Sequence, residues 1–226
     1  MSAAADLDGR RRTGVVDLVA LLAAAELTGF ERLAGDAALA PTFTAKAALA
    51  SLACSEFAHF ELLRDRFVAL GVDPDPAMAP FAAALAEFHS HTRPHDWLEG
   101  LVKAYIGDGI ATDFYREIGA YVDEPTRNLV NAVCTDAGFA EFAVSEIRKA
   151  IDADHRVGGR LALWARRLVG EAIAQAQRVA GESEGLTSLL LGTGGATGAD
   201  LVKLRAIIDR LTEGHVHRMG RLGLAF

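Results

Sequence analysis

Apolar residues recur every three or four positions along most of the chain, which is the period of an amphipathic helix. Alanine and leucine dominate and β-branched runs are scarce, so helices are the only regular structure that the pattern supports. We predict a first helix over 17–34 and a second over 44–70, which ends at Gly71 and the Asp-Pro pairs behind it. The short turn between them, 36–41, predicts that the two helices lie antiparallel.

A second helical hairpin is predicted after a long connection. A short helix over 77–88 and a polar loop over 89–94 lead to a third helix over about 96–121. Pro125 suits the first turn of a fourth helix, which would run to about residue 151. Two helical hairpins joined by a crossover are the connection of ferritin-like four-helix bundles. We therefore expect an all-α, ferritin-like four-helix bundle over about 15–152.

The last third of the chain predicts additional C-terminal helices on the same bundle. One helix is expected over 160–184 and another over 199–212, with a glycine-rich linker over 192–198 between them. No change of composition marks a boundary between domains. We therefore expect residues 1–226 to form a single domain, with the helices of about 158–215 packed on the bundle.

Acidic residues interrupt the apolar stripe of every helix of the predicted bundle, where the spacing calls for buried side chains. The interrupting residues are Glu26 in the first helix, Glu56 and His59 in the second, Asp113 or Asp108 in the third, and Asp136 in the fourth. Glu56 and His59 form a Glu-x-x-His pair on one helix face.

The distance of each acid from its turn predicts which acids lie side by side, because antiparallel helices have equal rise. Glu26 lies 14 residues before the centre of the first turn and Glu56 lies 16 after it. Asp113 lies 11 residues before the second turn and Asp136 lies 12 after it, whereas Asp108 lies 16 before it. At about 1.5 Å per residue, Asp108 would be about 6 Å further along the axis. The count favours Asp113, with Asp108 as the alternative.

Four carboxylates that face one bundle interior need compensation, because a buried unpaired ion costs several kcal/mol. Two divalent cations would balance them, and an oxygen-rich site with a histidine suits iron or manganese. The di-iron carboxylate pattern has a Glu from each of two helices and a Glu-x-x-His from each of the other two. Here Phe139 occupies the place of the second histidine. Water or Glu141 could replace the missing ligand, or the site could hold one ion or none; we expect Glu26, Glu56 and His59 to retain at least one iron.

Charge and cysteine content bear on partners and compartment. The net charge of −7 argues against a generic nucleic-acid binder, although a local basic face could hold RNA. Its candidates, which ion pairs explain equally well, are Arg160, Arg166, Arg167, Arg178, Lys203, Arg205 and Arg210. Cys54 and Cys134 lack any disulfide-like spacing, so we expect reduced thiols and a cytoplasmic protein. Apolar stretches such as 18–25 fall short of the roughly 18 residues of a membrane span, so none is expected.

Several segments resemble the ferritin-like proteins of actinobacteria that are related to tRNA hydroxylases, over about 15–215. The segments are Glu31-Arg32-Leu33-Ala34 with Ala40-Pro41, Glu56-Phe57-Ala58-His59-Phe60, the stretch from Trp97 to Tyr105 with Asp113-Phe114-Tyr115, and the stretch from Leu161 to Ala180. The positions that match the ligands of this group are Glu26, Glu56, His59, Asp113 and Asp136, while Phe139 departs from a histidine.

The resemblance implies a non-haem di-iron monooxygenase that hydroxylates the isopentenyl group of a methylthio-isopentenyladenosine in tRNA. Such an enzyme uses O2 and an external electron donor. Phe57, Phe60, Ile106 and Phe142 could form its apolar walls, and the alternative for each of them taken singly is ordinary core. The alternative is a ferritin-like protein that has lost one or both ions and acts as a binding or structural protein. The sequence leaves the oligomeric state open, a homodimer included.

Overall fold

Helices make up the regular structure throughout the residues that the computed structural model describes, which are 3–135, 138–191 and 198–225; these ranges contain no strand. The helices are α1 (Ala3–Asp36), α2 (Phe43–Leu70), α3 (Pro74–Met78), α4 (Ala82–His91), α5 (Trp97–Gly119), α6 (Glu124–Val133), α7 (Phe139–Ala153), α8 (His155–Glu182), α9 (Glu184–Leu191) and α10 (Gly198–Leu222). Short 3-10 turns occupy Ala37–Leu39 and Ala79–Phe81. The predicted all-α fold class is confirmed.

The observed helices differ from the predicted ones mainly in the second half of the chain. The predicted fourth helix is two helices, α6 and α7, and α7 begins after Gly138, whose backbone is left-handed at φ 94°. Helix α9 was not predicted, and α10 extends ten residues beyond the predicted end at residue 212. At the N-terminus α1 begins 14 residues before the predicted start at residue 17. Most of the predicted glycine-rich linker, 192–197, lies outside the described residues.

Capping side chains fix the helix starts that matter for the bundle. Thr42 accepts a hydrogen bond from the backbone N–H of Ala45 at 3.1 Å, which starts α2 one residue before the predicted position. Asp96 accepts from Glu99 N at 2.9 Å at the start of α5, and Asp123 accepts from Thr126 N at 3.0 Å at the start of α6. These caps set the axial register of the helices that carry the acidic residues.

Buried apolar side chains form two clusters at opposite ends of the bundle. One cluster joins the first half of α1 to the second halves of α2 and α5, through residues such as Leu22, Phe67 and Ile118. The other joins the turn after α1 to the first halves of α2 and α5, through residues such as Leu49 and Leu101. The acidic residues of α1, α2 and α5 fall in the sequence interval between the two clusters. The polar residues therefore occupy one level of the bundle, with an apolar core on either side.

One α1 stretch has the length and composition of a membrane span. Arg11–Leu39 has a mean hydropathy of 1.6, and 56% of its window is buried inside the structure. A buried core helix passes the same test, so this observation is weak evidence for a span. The expectation of no membrane span stays a prediction.

Replacing Gly71 by alanine should destabilise the protein by roughly 1 kcal/mol. Gly71 ends α2 with a left-handed backbone at φ 67°, which a Cβ disfavours. Gly159 supplies a matched control, because it lies exposed in α8 with open space around its missing Cβ. Gly159→Ala should stabilise by about 0.5 kcal/mol. Urea unfolding measures both variants, and equal shifts of the same sign would contradict the assignment of Gly71 as the helix terminator.

Candidate functional site

Three residues predicted as metal ligands meet in the interior of the α1–α2 hairpin. His59 Nδ1 lies 3.2 Å from Glu26 Oε2, and the carboxyl groups of Glu26 and Glu56 are joined by a hydrogen bond. Glu26 is 8% exposed and the His59 side chain 21% exposed. The residue counts from the first turn had placed Glu26 and Glu56 at one level, and the structure brings them into contact.

A glycine on α1 makes room for this contact. Gly29 lies almost one helical turn after Glu26, on the face that packs against α2. A Cβ built on Gly29 would lie 3.0 Å from Glu56 Oε2, tighter than ordinary packing. The absence of a side chain at Gly29 thus lets the Glu56 carboxyl group approach the α1 backbone beside Glu26.

The two carboxyl groups favour their protonated forms. Burial raises the pKa of Glu26 to about 8, and the Asp108 carboxylate adds to the rise. Burial raises the pKa of Glu56 to about 10, with further increases from the charges of Glu26 and Asp108. Within the described chain, neither group forms an ion pair with a lysine or arginine, and His59 is the basic side chain in contact. A protonated Glu56 donating to Glu26 is the arrangement that these shifts favour.

On the third predicted helix, Asp108 acts on the Glu26–Glu56 pair, whereas Asp113 forms an ion pair with α10. Asp108 lines one cavity with Glu26 and a second with His59, and its charge acts on both buried carboxyl groups. The Asp113 carboxylate instead lies 2.8 Å from Arg218 Nη1 of α10. The count from the turn had favoured Asp113 over Asp108, and it carried no information about α10. Asp113 as a metal ligand stays a prediction, and the structure adds Asp108 as the nearer carboxylate.

The remaining predicted ligands lie on the segment between α6 and α7 or just after it. Asp136 lies outside the described residues. Glu141, the suggested replacement ligand, has a 78% exposed side chain that pairs with Arg221. Phe139 is the first residue of α7, and its ring packs 6.1 Å from that of Phe142. Phe139 also lines the cavity that contains Glu56, His59 and Asp108, so this position faces the site.

The donor set fits a single divalent cation by type and proximity. Two carboxylates and an imidazole are ligands that iron accepts, and ligand atoms that neighbour each other around an ion with ~2.1 Å bonds lie ~3 Å apart. The 3.2 Å contact of Glu26 with His59 has that separation. In the described part of the chain, however, no group of three or more His, Cys, Asp or Glu side chains is arranged to hold a metal ion. Metal binding would therefore require a side-chain adjustment that brings Glu56 to the Glu26–His59 contact.

An apolar cavity of about 220 Å³ adjoins the carboxyl pair. Its walls come from α1, α2, α4, α5 and α8, and they include Leu21, Leu52, Leu85, Phe88, Ile110 and Phe114. None of the four apolar residues suggested from the sequence lines it: Phe57 is 38% exposed and stacks near Phe30, and Ile106 is fully buried in core. The sequence prediction of an apolar pocket beside the acids agrees with the structure, but its predicted walls are wrong.

A second, more polar cavity of about 320 Å³ lies on the other side of Glu56. It is lined by His59, Asp108, Asp113 and Phe139 together with the arginines of α5 and α10, Arg116, Arg218 and Arg221. Glu56 and Asp108 line both cavities. The acidic side chains of Glu56 and Asp108 thus lie between the apolar cavity and the polar one.

Two buried residues near the acids were missed from the sequence. Tyr115 and Cys134 line the apolar cavity, and burial raises the pKa of the Tyr115 hydroxyl and that of the Cys134 thiol, to about 12 for the thiol. The charges of Glu26 and Asp108 add to both shifts. Both groups therefore stay protonated at neutral pH. The burial of Tyr115 could have been predicted, because this residue follows the apolar spacing of α5. A tyrosine on an apolar stripe is more often an ordinary core residue, so its spacing alone does not indicate a functional role.

Both cysteines are free in the structure, with Cys54 exposed and Cys134 buried.

Most of the arginines predicted as a basic face for RNA form ion pairs with acidic side chains. Arg160 pairs with Asp96 and Glu99, and Arg178 pairs with Glu87 and Glu182. Arg205 pairs with Asp209 and Arg210 with Glu117. Ion pairing, the alternative to an RNA-binding face, thus accounts for four of the seven candidate basic residues.

Comparison with known proteins gives the fold family. The family described as "Ferritin-like domain, actinomycetes" matches residues 9–193, which include α1 from residue 9 onward and the whole of α2 to α9. A search of curated proteins finds no match. The matched region contains the Glu26–Glu56–His59 contact and both cavities apart from their α10 walls. The chain belongs to the ferritin-like domain family of actinomycetes.

Proposed function

We propose that this ferritin-like protein binds iron through Glu26, Glu56 and His59 and oxidises an apolar substrate held in the adjoining cavity. The observation that carries the proposal is the buried Glu26 carboxyl group, which contacts the His59 imidazole and shares a hydrogen bond with Glu56 at the wall of an apolar chamber. Carboxyl groups are rarely buried without a cation, because burial penalises their charged forms.

Charge balance supports one divalent ion at this point. Two ionised carboxylates carry −2, which a single Fe(II) neutralises, with the neutral imidazole as a third ligand. The pKa values of Glu26 and Glu56, about 8 and about 10, measure how strongly the metal-free site disfavours that charge. A bound cation reverses this preference, since metal ligands must be deprotonated.

Bound iron would supply the activation of O2 for oxidation of a C–H bond. The chain's own residues supply the surroundings. Leu52, Ile110 and Phe114 exclude water from the space beside the carboxyl groups, which strengthens electrostatic interactions there. The Tyr115 hydroxyl stays protonated and can donate a hydrogen bond into the cavity, whereas the protonated Cys134 thiol donates to Thr112 O.

As the specific substrate we propose the isopentenyl group of a modified adenosine in tRNA, following the resemblance stated above. Support comes from the apolar cavity, whose volume of about 220 Å³ exceeds the ~150 Å³ that encloses a benzene molecule. An external electron donor would complete the reaction, and a tRNA substrate implies a cytoplasmic protein. The ion pairs of Arg160, Arg178, Arg205 and Arg210 leave fewer basic residues for RNA than the sequence suggested.

A second candidate is a ferritin-like binding protein without a metal. Phe139 in the place of a histidine and the Asp113–Arg218 ion pair favour it, because both remove ligands from a second metal position. In this case the protonated Glu56 would bind a polar group of a ligand through its O–H.

Metal analysis separates the two candidates. Protein purified from iron-replete cells should contain about one iron per chain, and His59→Ala should weaken iron binding by about tenfold or more. His91→Ala is the matched control, because His91 is an exposed histidine paired with Glu171. Mass-spectrometric elemental analysis gives the stoichiometry, and anaerobic Fe(II) titration gives the affinity. Iron near zero in the wild type would refute the oxidase and leave the metal-free binding protein.

A further inference from the structure

The end of the apolar cavity away from the acids carries a group of polar side chains. Lys103 of α5, Arg32 of α1, His89 of α4 and Gln175 of α8 all line this cavity. They come from four different helices, of which α4 and α5 are consecutive in the chain. A cavity with mostly apolar walls therefore has a second polar region that the iron proposal does not use.

These side chains have few partners within the protein. His89 Nδ1 and Gln175 Oε1 are buried and have no hydrogen-bond partner among the described residues. Lys103 is 7% exposed, and its ammonium lies 5.8 Å from the centroid of the Phe88 ring. In the described part of the chain it forms no close ion pair and is attracted by Asp36 at longer range. Buried polar groups normally have partners, so this set calls for a ligand.

The charge of the region is positive. Asp36 lines the same cavity, and it is surrounded by the positive charges of Lys103, Arg32 and Arg93. One carboxylate against three cations leaves an excess of positive charge. His89 is neutral at pH 7, because burial and the neighbouring Lys103 lower its pKa to about 3. A neutral imidazole can donate from Nδ1, and rotation of the Gln175 amide presents its NH2 group in place of Oε1.

From this geometry we propose that the cavity binds a small apolar carboxylate, with its anionic head group at Lys103 and Arg32 and its hydrocarbon tail directed toward Glu26 and Glu56. The head group would accept hydrogen bonds from Lys103 Nζ, the Arg32 guanidinium, His89 and Gln175. Charge-assisted hydrogen bonds of this kind are the strong ones in a site of low polarity. The inference rests on the oxidase proposed above and assigns its cavity a substrate class, a small carboxylate, that is the alternative to the tRNA nucleoside.

The cavity volume limits the size of the ligand. By proportion with the ~150 Å³ cavity that holds the six carbons of benzene, about 220 Å³ accommodates roughly nine non-hydrogen atoms. Octanoate, with eight carbons and two oxygens, is close to this size and has one charge and an unbranched tail. Octan-1-ol has the same tail without the charge, so it isolates the contribution of the head group.

Calorimetric titration of chelator-treated protein at pH 7 tests the proposal. Octanoate should bind, and Lys103→Met should weaken its binding at least about tenfold while leaving octan-1-ol binding unchanged. Lys46→Met is the matched control, since Lys46 is exposed on α2 and does not line the cavity. Gln175→Leu is a second variant that should weaken octanoate binding even if Lys103→Met proves unstable in thermal unfolding.

The outcomes separate this inference from the iron proposal. Octanoate binding that depends on Lys103 supports the carboxylate site. If the protein as purified also lacks iron, the oxidase fails while the carboxylate site stands. Equal affinity for octanoate and octan-1-ol, or no change in either variant, overturns the carboxylate site. Binding of N6-isopentenyladenosine without octanoate binding also overturns it and favours the tRNA substrate.

Discussion

Metal-free protein should lose several kcal/mol of unfolding free energy between pH 5 and pH 8, and Glu56→Gln should remove much of that loss. In the unfolded chain both glutamates ionise near pH 4.5, whereas in the folded protein the pKa of Glu26 is raised to about 8 and that of Glu56 to about 10. A group with a raised folded pKa gives its full stability below the unfolded pKa. That stability declines as the pH rises toward the folded pKa, because the unfolded chain releases its proton first.

The size of the effect follows from the pH interval. One pH unit over which the folded carboxyl group keeps its proton and the unfolded one has lost it is worth about 1.4 kcal/mol. Each glutamate therefore lowers stability by about 3 kcal/mol at pH 7 relative to pH 4.5. Glutamine keeps the shape of the protonated acid and cannot ionise. Metal-free Glu56→Gln should thus be more stable than the wild type at pH 7 by about 3 kcal/mol, although it removes a proposed metal ligand.

Urea unfolding at pH 5, 6, 7 and 8 in the presence of a chelator measures this dependence. Glu61→Gln serves as the control, because Glu61 lies on the same helix with a half-exposed side chain and should change stability by less than about 0.5 kcal/mol. Added Fe(II) should restore the stability of the wild type at pH 8 and leave Glu56→Gln unaffected. Parallel pH curves for the wild type and Glu56→Gln would show that Glu56 is not buried in its protonated form.

The part of the site that the sequence predicted is the part carried by one local hairpin. Glu26, Glu56 and His59 lie on two helices joined by a short turn, so helical period and residue counting are enough to bring them together. The interrupted apolar stripes also predicted that acids replace apolar residues midway along α1, α2 and α5, although counting favoured Asp113 over Asp108 on α5. In the structure these acidic residues lie between the two hydrophobic clusters.

The part that the sequence could not predict depends on helices distant in the chain. Asp113 pairs with Arg218, which lies 105 residues later on α10, and no periodicity in either helix encodes that contact. The break between α6 and α7 was also missed, because the apolar spacing continues through Val133, Ala140 and Val144 as if one helix were present. Lys103 escaped notice for a similar reason: its burial is created by α4 and α8, which pack over α5.

Replacing Phe139 by histidine should raise the iron content from about one toward two per chain. Phe139 lines the polar cavity with Glu56, His59 and Asp108, so an imidazole at this position would face carboxylates that can share a second ion. The replacement also supplies the second histidine of the di-iron carboxylate pattern. Some stability would be lost, since the ring of Phe139 packs against that of Phe142 and such pairs contribute about 1 kcal/mol.

Phe142→His is the control that separates ligand supply from lost packing. Phe142 belongs to the same aromatic contact and packs against Trp97, but it does not line the polar cavity. Both variants should therefore lose similar stability, while only Phe139→His should gain iron in anaerobic Fe(II) titration. Unchanged iron content in Phe139→His would mean that the chain's second metal position depends on more than this one side chain. Because Asp113 is held by Arg218, the double variant Phe139→His with Arg218→Met would then show whether freeing that carboxylate completes the site.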